Sequence, residues 1–207
     1  VRVLALDTTA ARGSLALVED DRVVEEVTLL GPDGFAQLLF PAIVELLARH
    51  GWTLPQIDLF AAASGPGSFT GVRVGITAVK GLAEATGRGA QAISNLRALA
   101  AQGTGARRAP VINARRGEVY CGVYNDELRA LEPERHGPLT TLAAAEVLCQ
   151  EAWPELVASG LPYRLASGLL AGTVAALALA DGGVDPAAID ANYVRRSDAD
   201  GRWHDAG

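Results

Sequence analysis

The chain has 207 residues, 49% hydrophobic and 20% charged, with a formal net charge of −6. That length allows one large or two small domains around a substantial core, and the composition is that of a globular protein with no run apolar enough to cross a membrane. So negative a chain offers no electrostatic footprint for binding nucleic acid unaided, and any RNA role requires a partner.

Residues 1–6 read as a continuous apolar strand. The opening stretch is too short, and at Asp7 too acidic, for a secretory signal, so a cytoplasmic location is expected and the valine start is read as a lost initiator methionine. Residues 14–18 and 23–29 make a hairpin across Glu19-Asp20-Asp21-Arg22. Three strands therefore precede any helix, which excludes a plain βαβ repeat and implies a mixed sheet. Residues 35–49 form the first helix, apolar on nearly all sides, with Pro41 inside it marking a kink or a later start. Two readings fit such a helix: one side against the sheet and another against a partner, or an enclosed core helix.

A strand over residues 57–63 then meets a helix over 70–86 through a glycine-rich turn, residues 64–69, in which Ser68 or Thr70 can cap the helix. Free amides at such a turn favour an anion, but the turn lacks a P-loop ending, and Lys80, the only lysine, lies well inside the helix. A tight structural connection is the alternative. Along the helix, Gly71, Gly75, Ala78, Gly81 or Leu82, and Ala85 form a stripe of small residues. Interior glycines cost about 1 kcal/mol each against alanine, a cost repaid by close approach of another element, in a partner or in the chain's own core.

Residues 89–93 are the fifth strand and 95–102 the third helix. The polar, glycine-containing run at 102–110 marks a boundary between an N-terminal lobe, 1–104, and a smaller one, 105–207. In the second lobe, residues 111–113, 119–124 and 128–131 read as strands, and 141–151 and 169–180 as helices, with no internal sequence repeat. Cys121 and Cys149 lack zinc or redox spacing and read as reduced and structural, Cys121 sharing a strand face with Val119 and Val123. The arginine pairs Arg107/Arg108, Arg115/Arg116 and Arg195/Arg196 read as solvated charge before function.

Four segments taken together resemble the bacterial TsaB family: Asp7-Thr8-Thr9; the run Ser64-Gly65-Pro66-Gly67-Ser68-Phe69-Thr70-Gly71-Val72-Arg73-Val74-Gly75; Asn113-Ala114-Arg115-Arg116-Gly117-Glu118-Val119-Tyr120; and Tyr193-Val194-Arg195. The twelve-residue run is the specific one. The resemblance implies an α/β fold of the actin-like, sugar-kinase-like kind, with ribonuclease-H-like topology in each of two lobes and mixed sheets flanked by helices. It implies a non-catalytic role in making N6-threonylcarbamoyladenosine at position 37 of tRNAs reading codons that begin with A. The partners implied are the catalytic TsaD-type paralogue, a TsaE-type ATPase, and tRNA only through the complex, with a homodimer when the chain is alone and no membrane.

On that reading the partner interface comprises Leu39, Phe40, Ile43, Leu47, Gly71, Val74, Gly75, Ala78 and Leu82, and Gly75→Arg should abolish assembly while the monomer stays folded. No catalytic or metal residue is expected. Where the catalytic paralogue carries a His-x-x-x-His metal pair, this chain has Asn95 and Leu99, and His50, His136 and His204 are scattered. Two departures from the family pattern, Phe35-Ala36-Gln37 for a His-Ser-Glu-like segment and Asn113 for an aspartate, leave a scaffold undisturbed. No resident cofactor is expected beyond a weakly held nucleotide, for which Asp7, Gly65, Gly67 and Ser68 are the candidates, Asp7 also reading as a strand-end turn cap. Two other classes stay open: an ATP-dependent kinase or hydrolase of the same fold, and a peptidase, against which stands the lack of a nucleophile elbow or a His-Glu-x-x-His.

Overall fold

The structure, a computed structural model, describes residues 1–31, 34–139 and 145–194. Strands β1 (Arg2–Asp7), β2 (Arg12–Glu19) and β3 (Arg22–Leu30) form an antiparallel meander, joined by β4 (Leu59–Ala63) and β5 (Gly89–Ile93) in parallel, giving the order β3-β2-β1-β4-β5. A second sheet of β6 (Arg107–Arg115), β7 (Glu118–Asn125), β8 (Ala130–Pro138), β9 (Glu146–Cys149) and β10 (Tyr163–Leu165) runs β10-β9-β6-β7-β8. There too the first three strands pair antiparallel and the last two join in parallel. The two sheets thus repeat one topology that no sequence repeat announces, as the actin-like expectation requires.

The central strands β1, β2 and β4 are buried on both faces and read as nearly continuous apolar runs, whereas the edge strand β3 is largely exposed or half-buried. Leu4, Leu6, Leu15, Leu17, Phe60 and Ala62 face one core, shared with α1 (Leu39–Arg49) and α2 (Phe69–Thr86). Val3, Ala5, Ala16, Val18, Leu59 and Ala61 face the other, which α5 (Ala171–Asp181) covers with Leu170, Ala171, Val174 and Ala178. The short helix α3 (Asn95–Ala101) closes the first lobe in sequence yet packs against β6 and β7 of the second, where Leu96 and Ala100 bury Tyr124. Each sheet is thus followed by a helix that leans on the other sheet. The boundary expected at residue 104 separates the sheets, but a single cut there does not separate the packing units.

Three sequence expectations need correction. The first helix starts at Leu39 because residues 35–38 form a tight turn, with the Phe35 carbonyl accepting from Leu38 N and Leu39 N. Pro41 then falls in the first helical turn, where its missing N–H is one the helix leaves unpaired anyway. Residues 146–149, expected within a helix over 141–151, are strand β9, lying between β6 and β10; a short apolar run carries no period that separates strand from helix, and residues 141–144 of that span lie outside the described residues. Helix α4 (Pro154–Ala158) and strand β10 are short elements that no periodic pattern marked. Arg195, Arg196 and His204 also lie outside the described residues.

Because α5 supplies one whole cover of the first sheet, a fragment ending at residue 104 exposes Val3, Ala5, Val18 and Ala61 to water. Such a fragment is expected to be unfolded or aggregated by circular dichroism and sizing, and to recover a folded signal when co-expressed with residues 166–194. Cooperative folding of 1–104 alone would contradict this packing.

Candidate functional site

The glycine-rich turn folds as expected before α2, with Ser68 as its cap: the Ser68 hydroxyl accepts from Gly71 N at 3.2 Å. Its other contacts are all to the chain itself. Gly65, with φ near +99°, takes a conformation that favours glycine; its N–H donates to Asn95 Oδ1 at 2.8 Å while its carbonyl accepts from Asn95 N. Asn95 Nδ2 donates to Thr9 Oγ1 at 2.6 Å, and Thr9 in turn donates through its N–H and its hydroxyl to Asp7 Oδ1. The Ser68 amide, which an anion would need, donates to the Thr9 carbonyl at 2.6 Å.

Helix α2 lies so close to the end of β1 that side chains do not fit between them. A Cβ at Gly71 would fall 1.9 Å from the Thr8 carbonyl oxygen, and one at Gly75 would fall 2.7 Å from Thr8 Oγ1. The Thr8 hydroxyl donates to the Gly71 carbonyl at 2.7 Å. The first part of the small-residue stripe, Gly71, Gly75 and Ala78, is therefore a contact inside the monomer, whereas Gly81 and Ala85 are exposed.

Of the four candidate nucleotide residues, Gly67 and Ser68 line a cleft of about 590 Å³ between the sheets, together with Arg12, Asn113, Arg115 and Tyr120. Asp7 does not reach that cleft. It is 2% exposed behind Thr9, and burial pushes its carboxyl above the ordinary carboxylate range against the hydrogen bonds from Thr9. The turn-cap reading of Asp7 describes what its side chain does. A buried carboxyl held in this way is poorly placed to bind a metal-nucleotide.

The outer surface of α1 and α2 differs from the expected interface in a systematic way. Leu39, Ile43, Leu47, Gly71, Gly75, Ala78 and Leu82 are buried in the monomer core, and Val74 is partly buried against it. Phe40 alone of the nine stands out, 50% exposed, with Val44 one turn on at 63%. At the start of α2, Phe69 is 52% exposed and packs against Tyr193 with ring centroids 5.6 Å apart. Arg73 lies 3.8 Å over the Phe69 ring and donates from Nε to the Tyr193 hydroxyl at 3.0 Å. Val44, Phe69 and Tyr193 were missed as surface residues; the helical period of Phe40 and Val44, about 100° round the helix from Leu39 and Ile43, was the signal available for the first of them.

A family model described as TsaD: tRNA N6-adenosine threonylcarbamoyltransferase matches residues 33–147. The tRNA threonylcarbamoyladenosine biosynthesis protein TsaB of Escherichia coli (strain K12) is 35% identical over 184 residues, 79% of this chain and 79% of that protein. The chain belongs to the TsaB family. A second TsaB, from Bacillus subtilis (strain 168), is 34% identical over 132 residues, 63% of this chain and 58% of that protein, so the match spans under two thirds of the relative. Among solved structures, YeaZ from Pseudomonas aeruginosa superposes with a TM-score of 0.76 at 30% identity, covering 93% of this chain and 99% of that one.

For a TsaB-family chain, the position of Asn95 is informative. Its amide oxygen and nitrogen are both spent on the Gly65 and Thr9 contacts, and Leu99 is fully buried. Among the described residues no three His, Cys, Asp or Glu side chains converge on a metal geometry. The two thiols are buried as well: burial raises the Cys121 thiol and pushes Cys149 up to about 11, so neither offers a thiolate nucleophile at neutral pH. No described helix is long and apolar enough to cross a membrane.

The docking of α2 makes the expectation for Gly75→Arg wrong in its second half, because an arginine there has no room and the monomer itself should unfold. Gly71→Ala is expected to cost about 1–3 kcal/mol by overpacking, whereas Gly81→Ala, which meets open space, should gain about 1 kcal/mol of helix propensity; urea denaturation of the pair checks both signs. For Asp7, an acid raised in the fold stabilises it below the unfolded pKa, and that contribution is lost as pH rises through the folded value. Asp7→Asn should therefore raise Tm over the wild type more at pH 8 than at pH 4, and an equal effect at both would contradict the buried, raised carboxyl.

Proposed function

We propose that this chain is the non-catalytic subunit of the tRNA threonylcarbamoyladenosine complex, heterodimerising with a TsaD-type paralogue through the outer surface of α1 and the start of α2. The observation that carries the reading is the exposed apolar set Phe40, Val44, Phe69 and Tyr193 on elements whose opposite sides already fill the core. Large exposed apolar and aromatic side chains with an arginine beside them have the composition of an interface centre. Membership of the TsaB family supports the tRNA assignment, since its named members are tRNA threonylcarbamoyladenosine biosynthesis proteins. The self-contacts of the glycine turn and the burial of Asp7 support a scaffold over an enzyme. A TsaE-type ATPase and tRNA would then engage the assembled pair, and the same surface would serve a homodimer when the paralogue is absent.

A second reading, an ATP-dependent kinase or hydrolase, is favoured by the cleft between the sheets with Arg12 and Arg115 on its walls. Stoichiometric ATP binding with turnover by the purified chain would bring it forward. The deciding experiment is light scattering of the chain alone and with its TsaD-type paralogue, followed by a threonylcarbamoyl-transfer assay. A one-to-one complex, with transfer dependent on both chains, is the expected result. Phe40→Arg and Val44→Arg should each weaken that complex by about 2 kcal/mol or more and leave the Tm of the isolated chain nearly unchanged. Full binding by both variants would move the interface elsewhere.

A further inference from the structure

Glu134, on β8, joins three parts of the chain that are distant in sequence. Its Oε1 accepts from the Ser94 hydroxyl, which also caps α3, and from the Tyr124 hydroxyl of β7. Its Oε2 accepts from Asn192 Nδ2 at 2.5 Å. Burial and the bond to Glu134 raise the Tyr124 phenol, which keeps it a donor.

Asn192 is the outward end of this cluster. Its N–H donates to the Ser64 carbonyl at 2.8 Å, and its own carbonyl lies 3.2 Å from where a Cβ of Gly65 would be. The segment is thus pinned along the glycine turn by its backbone and turned toward Glu134 by its side chain. The next residue, Tyr193, holds Arg73 through its hydroxyl and Phe69 through its ring. We propose that Glu134 is a positioning residue which, through Asn192, sets the Phe69, Arg73 and Tyr193 cluster at the start of α2 in the arrangement that a partner protein meets. The partner half of this statement rests on the heterodimer reading above; the positioning half stands without it.

The relay is directional in its chemistry. Removing the Asn192 side chain leaves Ser94 and Tyr124 still bonded to Glu134, so the joint between the sheets survives while its arm to Tyr193 is cut. Replacing Glu134 by glutamine keeps an acceptor for the two hydroxyls and presents an amide to which Asn192 can turn its carbonyl. Replacing it by alanine removes every bond at once.

The test is NMR on the full chain, reading amide exchange at Asn192, whose N–H donates to the Ser64 carbonyl, and the Arg73 Nε–H resonance, with Tm recorded separately. In Asn192→Ala and Glu134→Ala, exchange at the residue-192 amide should accelerate about tenfold, as expected for the loss of one charge-assisted hydrogen bond, and the Arg73 signal should broaden. Glu134→Gln should stay near the wild type. Wild-type exchange and an intact Arg73 signal in Asn192→Ala would overturn the positioning role, and this variant decides even where Glu134→Ala fails to fold. Affinity for the TsaD-type paralogue should then fall about tenfold in Asn192→Ala, and the double variant with Tyr193→Ala should bind no more weakly than Tyr193→Ala alone. Unaltered affinity in a chain whose Tyr193 has loosened would overturn the partner half. Absence of any wild-type complex would remove the heterodimer reading and leave the NMR result to judge the positioning.

Discussion

The carboxamide of Asn95 bonds at both ends, to the Gly65 amide and to the Thr9 hydroxyl, and on that bridge the rest of the structure depends. It ties the exits of β1, β4 and β5 together at one edge of the first sheet. Each group in the bridge is buried, so losing one partner strands another polar atom at a cost of roughly 1–3 kcal/mol. Drawing the glycine turn down onto residues 7–9 also brings α2 into backbone contact with Thr8, which is why positions 71 and 75 have no room for a side chain. The direction of α2, and so the surface it presents, follows from this docking.

The two sheets share one topology, but neither lobe closes on itself. Helix α5 comes from the second half of the chain and fills the open face of the first sheet, and α3 comes from the first half and covers part of the second. The result is a joint between the sheets made of apolar packing at α3 and α5 and of polar contacts such as the Arg97 to Asp181 ion pair, at 2.9 Å for its longer arm. Relative movement of the sheets has to disturb both.

The same economy shapes what the surface can do. At the head of α2 the Ser68 amide donates to the Thr9 carbonyl and the Gly71 amide to the Ser68 hydroxyl, and the acid at the end of β1 is sealed behind Thr9. Besides the cleft with Arg12 and Arg115 on its walls, the surface of α1 and the head of α2 is apolar and aromatic: Phe40 and Val44 on one helix, and Phe69 with Tyr193 at the head of the other. Recognition of another protein is the chemistry such a surface supports best.

Much of this was legible in the residues. The strands-first order, a helix cap at Ser68 or Thr70 and the turn at Asp7 all follow from local rules of period, side-chain length and hydrogen-bonding capacity, which act over a few residues and leave their mark in short stretches of sequence. The stripe of small residues on α2 also predicted a close approach, but not to what; only the folded chain shows Thr8 on the other side. Leu39 and Phe40, adjacent and both apolar, look alike in sequence, and one is core while the other is surface because the turn at 35–38 sets the rotation of α1. Strand β9 was lost because its three buried apolar residues, Val147, Leu148 and Cys149, are too few to show a period. The composition and local pattern of the chain determined its elements and fold class, whereas long-range docking, set by the Asn95 bridge and the crossing of α3 and α5, decided which apolar residues were buried and which were left on the surface.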